Sequence, residues 1–114
     1  MSIEGVKKCL PTLKKLARAR TKKQRERILV DAESCIFYAI SEISKNTLNG
    51  NIEISEKYKN KLRSYANDLR ELSKKSIPLK KRKKIVLQSG GAFLPALLWP
   101  AISYLGGKLV DKFI

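Results

Sequence analysis

Five consecutive cations, Lys80, Lys81, Arg82, Lys83 and Lys84, stand just ahead of a Gly90-Gly91 pair. Ammonium and guanidinium groups packed this densely suit the neutralisation of a polyanion. Each one that meets a phosphate displaces condensed counterions, and the contact carries no sequence information. Lys74 and Lys75 extend the tract upstream. A second block carries the same chemistry: Lys14, Lys15, Arg18, Arg20, Lys22, Lys23, Arg25 and Arg27. A run such as residues 80–84 also serves as a nuclear-localisation signal, and the two roles are compatible. For the N-terminal block the competing reading is a solvated helix face.

Other chemistry is poorly provided for. Histidine is absent, so the Ser-His and Cys-His pairs of nucleophilic catalysis are excluded. Cys9 and Cys35 form no CxxC motif and have no histidine companions, which argues against zinc. Both lie among apolar residues and read as buried free thiols in a reducing compartment, with a disulfide as the alternative. There is no glycine-rich phosphate loop and no convergent carboxylate pair. The expectation is a non-enzyme with no metal and no cofactor.

The net charge of +15 over 114 residues points to nucleic acid or an anionic membrane surface as partner. That charge is segmented. Residues 1–27 hold ten Lys/Arg and two acids, residues 28–72 six and seven, residues 73–84 seven and none, and residues 85–114 two and one. Two basic blocks thus flank a neutral middle. Lysines interrupt the N-terminal stretch before an apolar segment of secretory type can form. The expected organisation is a basic helical region over residues 1–75, a basic tract ending in Gly-Gly over 76–91, and an apolar segment over 92–114.

The elements that must position these groups read as helices. Pro11 suits the first turn of a short helix carrying Leu13, Leu16 and Ala17 on one side. Thr21 followed by Gln24 forms a capping box. From there Ile28, Ala32, Cys35, Ile36, Ala39, Ile40 and Ile43 recur every three or four residues, predicting one amphipathic helix to about residue 48. Asn49, Gly50 and Asn51 end it. Ser55 caps a second helix striped with Tyr58, Leu62, Tyr65, Leu69 and Leu72, its tyrosines placed as core and boundary residues rather than base-stacking groups. A short connection between two long helices predicts an antiparallel hairpin. Ser76 and Pro78 then punctuate. Residues 79–91 have the pattern of a helix ended by glycine, but five adjacent like charges oppose it, so a frayed arm is expected in the free protein. The fold class is all-α: a small hairpin or bundle with basic flanks.

Residues 92–105 are fourteen positions without a charge. That is short of the ~20 needed to span a bilayer. Three placements compete: packing on the hairpin as core, insertion into a membrane interface, for which Trp99 and Tyr104 are suited, and contact in an oligomer. The candidate membrane or partner contacts are Phe93, Leu94, Leu97, Leu98, Trp99, Ile102, Tyr104 and Leu105.

The order of features over residues 79–107 is a lysine tract, Gly90-Gly91, Ala92-Phe93, Leu94-Pro95, Leu97-Leu98, Pro100 and Gly106-Gly107. This series is similar to the C-terminal half of the precursor of the adenovirus core peptide mu, often named protein X. It resembles still more the protein-X-like virion proteins of adintoviruses and related Maverick/Polinton elements. Toward the N-terminus the similarity is one of character rather than of motif. The resemblance implies a virion core protein that helps condense double-stranded DNA, located in the virion and the host nucleus. Because such elements integrate, an animal genome is an equally suitable source. The resemblance also implies a cut by a viral cysteine protease after Gly-Gly, between Gly91 and Ala92. The chain departs from that protease's pattern at Gln88, where the family favours Met, Ile or Leu.

The leading expectation is therefore a basic core protein binding double-stranded DNA without sequence preference, its apolar segment contacting membrane or capsid protein. One rival is a membrane-active protein drawn to anionic lipid by its basic surface. The other is a cellular helical DNA-binding module, for which the nearly neutral middle helices offer no evident base-reading surface.

Overall fold

The computed structural model describes the backbone of residues 3–113 and the side chains of residues 8–103. Among the described residues seven helices follow one another: α1 (Ile3–Arg18), α2 (Lys22–Val30), α3 (Ser34–Leu48), α4 (Glu56–Arg63), α5 (Ala66–Leu72), α6 (Leu79–Gln88) and α7 (Leu94–Phe113). No strand occurs among the described residues, and the fold is all-α as the periodicity predicts.

α3 lies at the centre. Ile36, Phe37, Ala39, Ile40 and Ile43 are buried along it, and α1, α5, α6 and α7 pack around it. α1 also rests on α7 and α2, α4 rests on α7, and α5 touches α6. The radius of gyration is 13.1 Å, about the ~13 Å expected when a chain of this length forms one globule. Neither the basic tract nor the apolar segment extends away as an arm.

The helix boundaries follow local chemistry where a cap was legible. Thr21 Oγ1 accepts from the Gln24 amide at 3.1 Å, and Gln24 Oε1 accepts from the Thr21 amide at 3.3 Å, so the capping box closes. Ser55 Oγ accepts from the Tyr58 amide. Gly50, at φ +75°, ends α3: its amide donates to the Thr47 carbonyl, and the Asn51 amide reaches back to Asn46. This is the six-to-one and five-to-two bonding of a Schellman motif, which needs a left-handed residue.

Three expectations about helix continuity are corrected. α1 begins well before Pro11, because its apolar face continues upstream through buried Cys9, four residues from Leu13. The predicted helix to residue 48 is two helices. α2 buries Leu29 and sets Ile28 against the core's edge, and the extended backbone of Glu33, at φ −68° and ψ 158°, redirects the chain so that the α3 stripe faces inward. The second long helix is also divided, at Tyr65, whose φ is −109° and ψ 13°. The bend lets Leu62 of α4 face α7 while Leu69 and Leu72 of α5 reach α3. The Tyr65 ring itself lies 5.6 Å from that of Phe93. The partner of α3 in the hairpin is thus α5 alone.

Over residues 93–101 the apolar segment is largely core. Phe93, Leu94, Leu97 and Leu98 are essentially inaccessible, and each contributes on the order of 1.5–3 kcal/mol by leaving water. Among the described residues no helix is long and apolar enough to cross a membrane. Cys9 and Cys35 are joined in a disulfide between α1 and α3, which corrects the reading as free thiols. Their helices pack side by side, and both sulfurs fall on the facing surfaces.

Candidate nucleic-acid interface

α6 carries five cations in its first six residues and no acid in its first turn. Like charges at neighbouring helical positions and at the positive end of the helix dipole oppose its formation. Its inner face overcomes this. Ile85 and Val86 are buried, and Leu79 is packed against the core. The end is fixed by Gly90 and Gly91, at φ +62° and +70°. The Gly90 amide donates to Leu87 and the Gly91 amide to Val86, so this pair too forms a Schellman motif. The expected frayed arm is an ordered helix.

The helical period divides the tract. Lys80, Lys81 and Lys84 point to solvent and Lys83 is half-buried, its Nζ 5.6 Å from the centre of the Phe37 ring. Arg82 points inward and is only 6% exposed. Its Nε donates to the Ile77 carbonyl at 3.2 Å, one terminal nitrogen to Leu72 at 3.4 Å, and the other to Lys74 and Lys75 at 3.4 and 3.3 Å. Leu72 is the last residue of α5, so the guanidinium sits at the negative end of that helix. It also stacks 5.0 Å from the centre of the Tyr38 ring. Arg82 was expected to bind phosphate; it instead ties the α5–α6 connection together.

Lys74 and Lys75 are exposed on that connection. Glu71 holds Lys74 at 2.6 Å and Lys81 at 3.5 Å. The Lys74 hydrogen bond, then the charge of Lys74, then that of Lys81, keep the Glu71 carboxyl below the usual carboxylate range.

In the N-terminal block, Lys14, Lys15 and Arg18 lie exposed on α1, Arg20 on the connection, and Lys22, Lys23 and Arg27 on α2. Arg25 is half-buried, and its Nε donates to the Gly90 carbonyl at 3.0 Å. The Lys22 stem covers Gly90 so closely that a Cβ there would lie 2.6 Å from its Cε. The start of α2 therefore abuts the end of α6, and blocks distant in sequence meet at one helix terminus.

One group of cations escaped the sequence reading. Residues 28–72 are neutral as a whole, yet α4 presents Lys57, Lys59, Lys61 and Arg63 to solvent, with Glu56 bonded to Lys59 as its one acid. A window the length of one helix, rather than of half the chain, carries that signal.

The expected cleavage point lies inside the fold. Gly90 and Gly91 are buried, and Ala92 is exposed. A side chain at Gly91 would meet Leu94 at 3.1 Å and Leu29 at 3.3 Å. A protease needs extended backbone, so it reaches this bond only after the turn opens. Of the proposed membrane or partner contacts, Phe93, Leu94, Leu97 and Leu98 are corrected to core residues. Ile102 is half-buried against the core. Trp99, at 37% exposure, borders a shallow groove with Glu53, Tyr58 and Ser103. The side chains of Tyr104 and Leu105 lie outside the described residues. No protein-family model, no curated protein and no solved structure matches the chain.

Proposed function

We propose that this protein binds double-stranded DNA through its exposed lysines and arginines and condenses it by charge neutralisation, as a core protein of the kind its C-terminal motif resembles. The supporting observation is the distribution of outward-facing cations. Lys80, Lys81 and Lys84 lie on α6, whose far end meets the start of α2 at Gly90, while α4 adds cations on an element that packs against α7. Cations spread over several elements suit a protein that bridges duplexes better than one that reads a single groove. Phosphate neutralisation requires no base contact, and it makes affinity fall steeply with salt.

Titration of the full chain with duplexes of unrelated sequence across a salt series tests the proposal. Neutralising about seven to ten phosphates predicts a slope of log affinity against log salt of roughly −6 to −9, equal for all sequences. A shallow slope, or a strong preference for one duplex, would overturn it. Light scattering with long DNA at low salt should show condensation at charge equivalence.

A further inference from the structure

We propose that the Cys9–Cys35 disulfide is exchangeable, that a small anionic thiol opens it by attacking Cys35, and that Cys35 is the residue that then carries the mixed disulfide. The two sulfurs differ in access. Both cysteines line one surface cavity, but Cys9 is only 2% exposed, whereas Cys35 is partly exposed. That cavity is rimmed by the cations Lys8, Lys15 and Arg27 and by the acids Asp31 and Glu33. Three cations against two acids favour an attacking thiol that itself carries carboxylates, glutathione being the chemical type.

Electrostatics selects the same sulfur. Glu33 Oε2 lies 4.0 Å from Cys35 Sγ. Attack on Cys9 would expel a thiolate at Cys35, against that carboxylate. Attack on Cys35 expels it at Cys9, on the α1 side of the cavity where Lys8 and Lys15 stand. Exchange depends on which sulfur is reached and on how well the leaving thiolate is stabilised. In the step, the incoming thiolate sulfur forms a bond to Cys35 Sγ and the Cys35–Cys9 bond breaks. Its electron pair stays on Cys9, which takes a proton from water. The incoming thiol is oxidised and Cys9 is reduced. A second thiol can then release Cys35 by the same exchange.

The fold can accommodate the opening. α1 is also held by buried Leu13, Leu16 and Ala17 and packs on α7 as well as α3. Loss of the crosslink therefore leaves the helix docked, and the modified cysteine displayed between cations of the N-terminal block.

The test treats the oxidised full-length protein with reduced glutathione near neutral pH, followed by acid quench, alkylation of free thiols and peptide mapping. The adduct should sit on Cys35 and the alkyl group on Cys9, favouring that arrangement by about tenfold or more. The same reaction in denaturant should lose most of this preference. Glutathione on Cys9, an even distribution in the native protein, or two free thiols before treatment would each overturn the proposal. With Glu33→Gln, native selectivity should narrow while circular dichroism stays unchanged; unaltered selectivity would remove the carboxylate from the explanation.

Discussion

In the N-terminal block, seven of eight cations face solvent and the eighth, Arg25, makes one hydrogen bond to a carbonyl. In α6, five adjacent cations meet three different fates: three are solvated, one covers an aromatic ring and one is buried among carbonyls. The difference comes from what each helix must bury. α2 gives the core only Leu29 and part of Ile28, both near its end, so its first turns can be cationic. α6 must deliver Ile85 and Val86 to the core, and the residue that lies three positions before the one and four before the other, Arg82, is carried inward whatever its type. A run of like residues is thus not a run of like environments.

Substituting Arg82 gives the largest expected separation between the blocks. Arg82→Gln leaves two buried and two partly buried carbonyls short of a donor and should cost about 3 kcal/mol, whereas Arg25→Gln should cost about 1 kcal/mol, both read from urea denaturation. Equal losses would erase the comparison. Gly90→Ala acts on the seam joining the blocks. It places a side chain at positive φ and against the Lys22 stem, so a loss of about 1–2 kcal/mol is expected. Exposed positions should behave in the opposite way. Replacing Lys80, Lys81 and Lys84 together by glutamine should change stability by less than about 0.5 kcal/mol per site. The same variant should flatten the DNA salt slope by about 2.5–3 units, at ~0.9 per lost contact. Glu71 gives the smallest effect. Because its carboxyl is held low in the folded state, its contribution is present above the ordinary carboxylate range and is lost as pH falls through the lowered value. All three partners are substantially solvated, so the stability change should be slight and best followed by the NMR titration of Glu71 itself.

What could be read in advance, and what could not, follows from the range of the interactions. Thr21 with Gln24, Ser55, Gly50 and Gly90-Gly91 act within one helical turn, and each marks the boundary it announces. The divisions at residues 31–33 and at Tyr65 answer to distant partners, α7 and the α1 face, and an apolar stripe that merely continues in register does not disclose them. Arg82 was recoverable: it shares a helical face with Leu79, Ile85 and Val86. Uniform charge over residues 80–84 obscured that register. The disulfide was not recoverable, since two cysteines carry no spacing signature and their meeting depends on how α1 docks. The apolar segment was legible as a choice between core and partner, and packing against α1, α3 and α4 decides it.

The contact of α1 with α7 has a consequence for synthesis. Of the seven described helices α1 is translated first and α7 last, so the packing of α1 on α7 forms only when α7 arrives. That part of the core on the ribosome therefore waits until Phe93, Leu94 and Leu97 have cleared the exit tunnel. Until then the nascent chain presents both its basic blocks and its uncovered leucines. A ribosome stalled within α7 should therefore hold a chain whose α1 and α4, the helices that pack on α7, are more open to protease than in the folded protein.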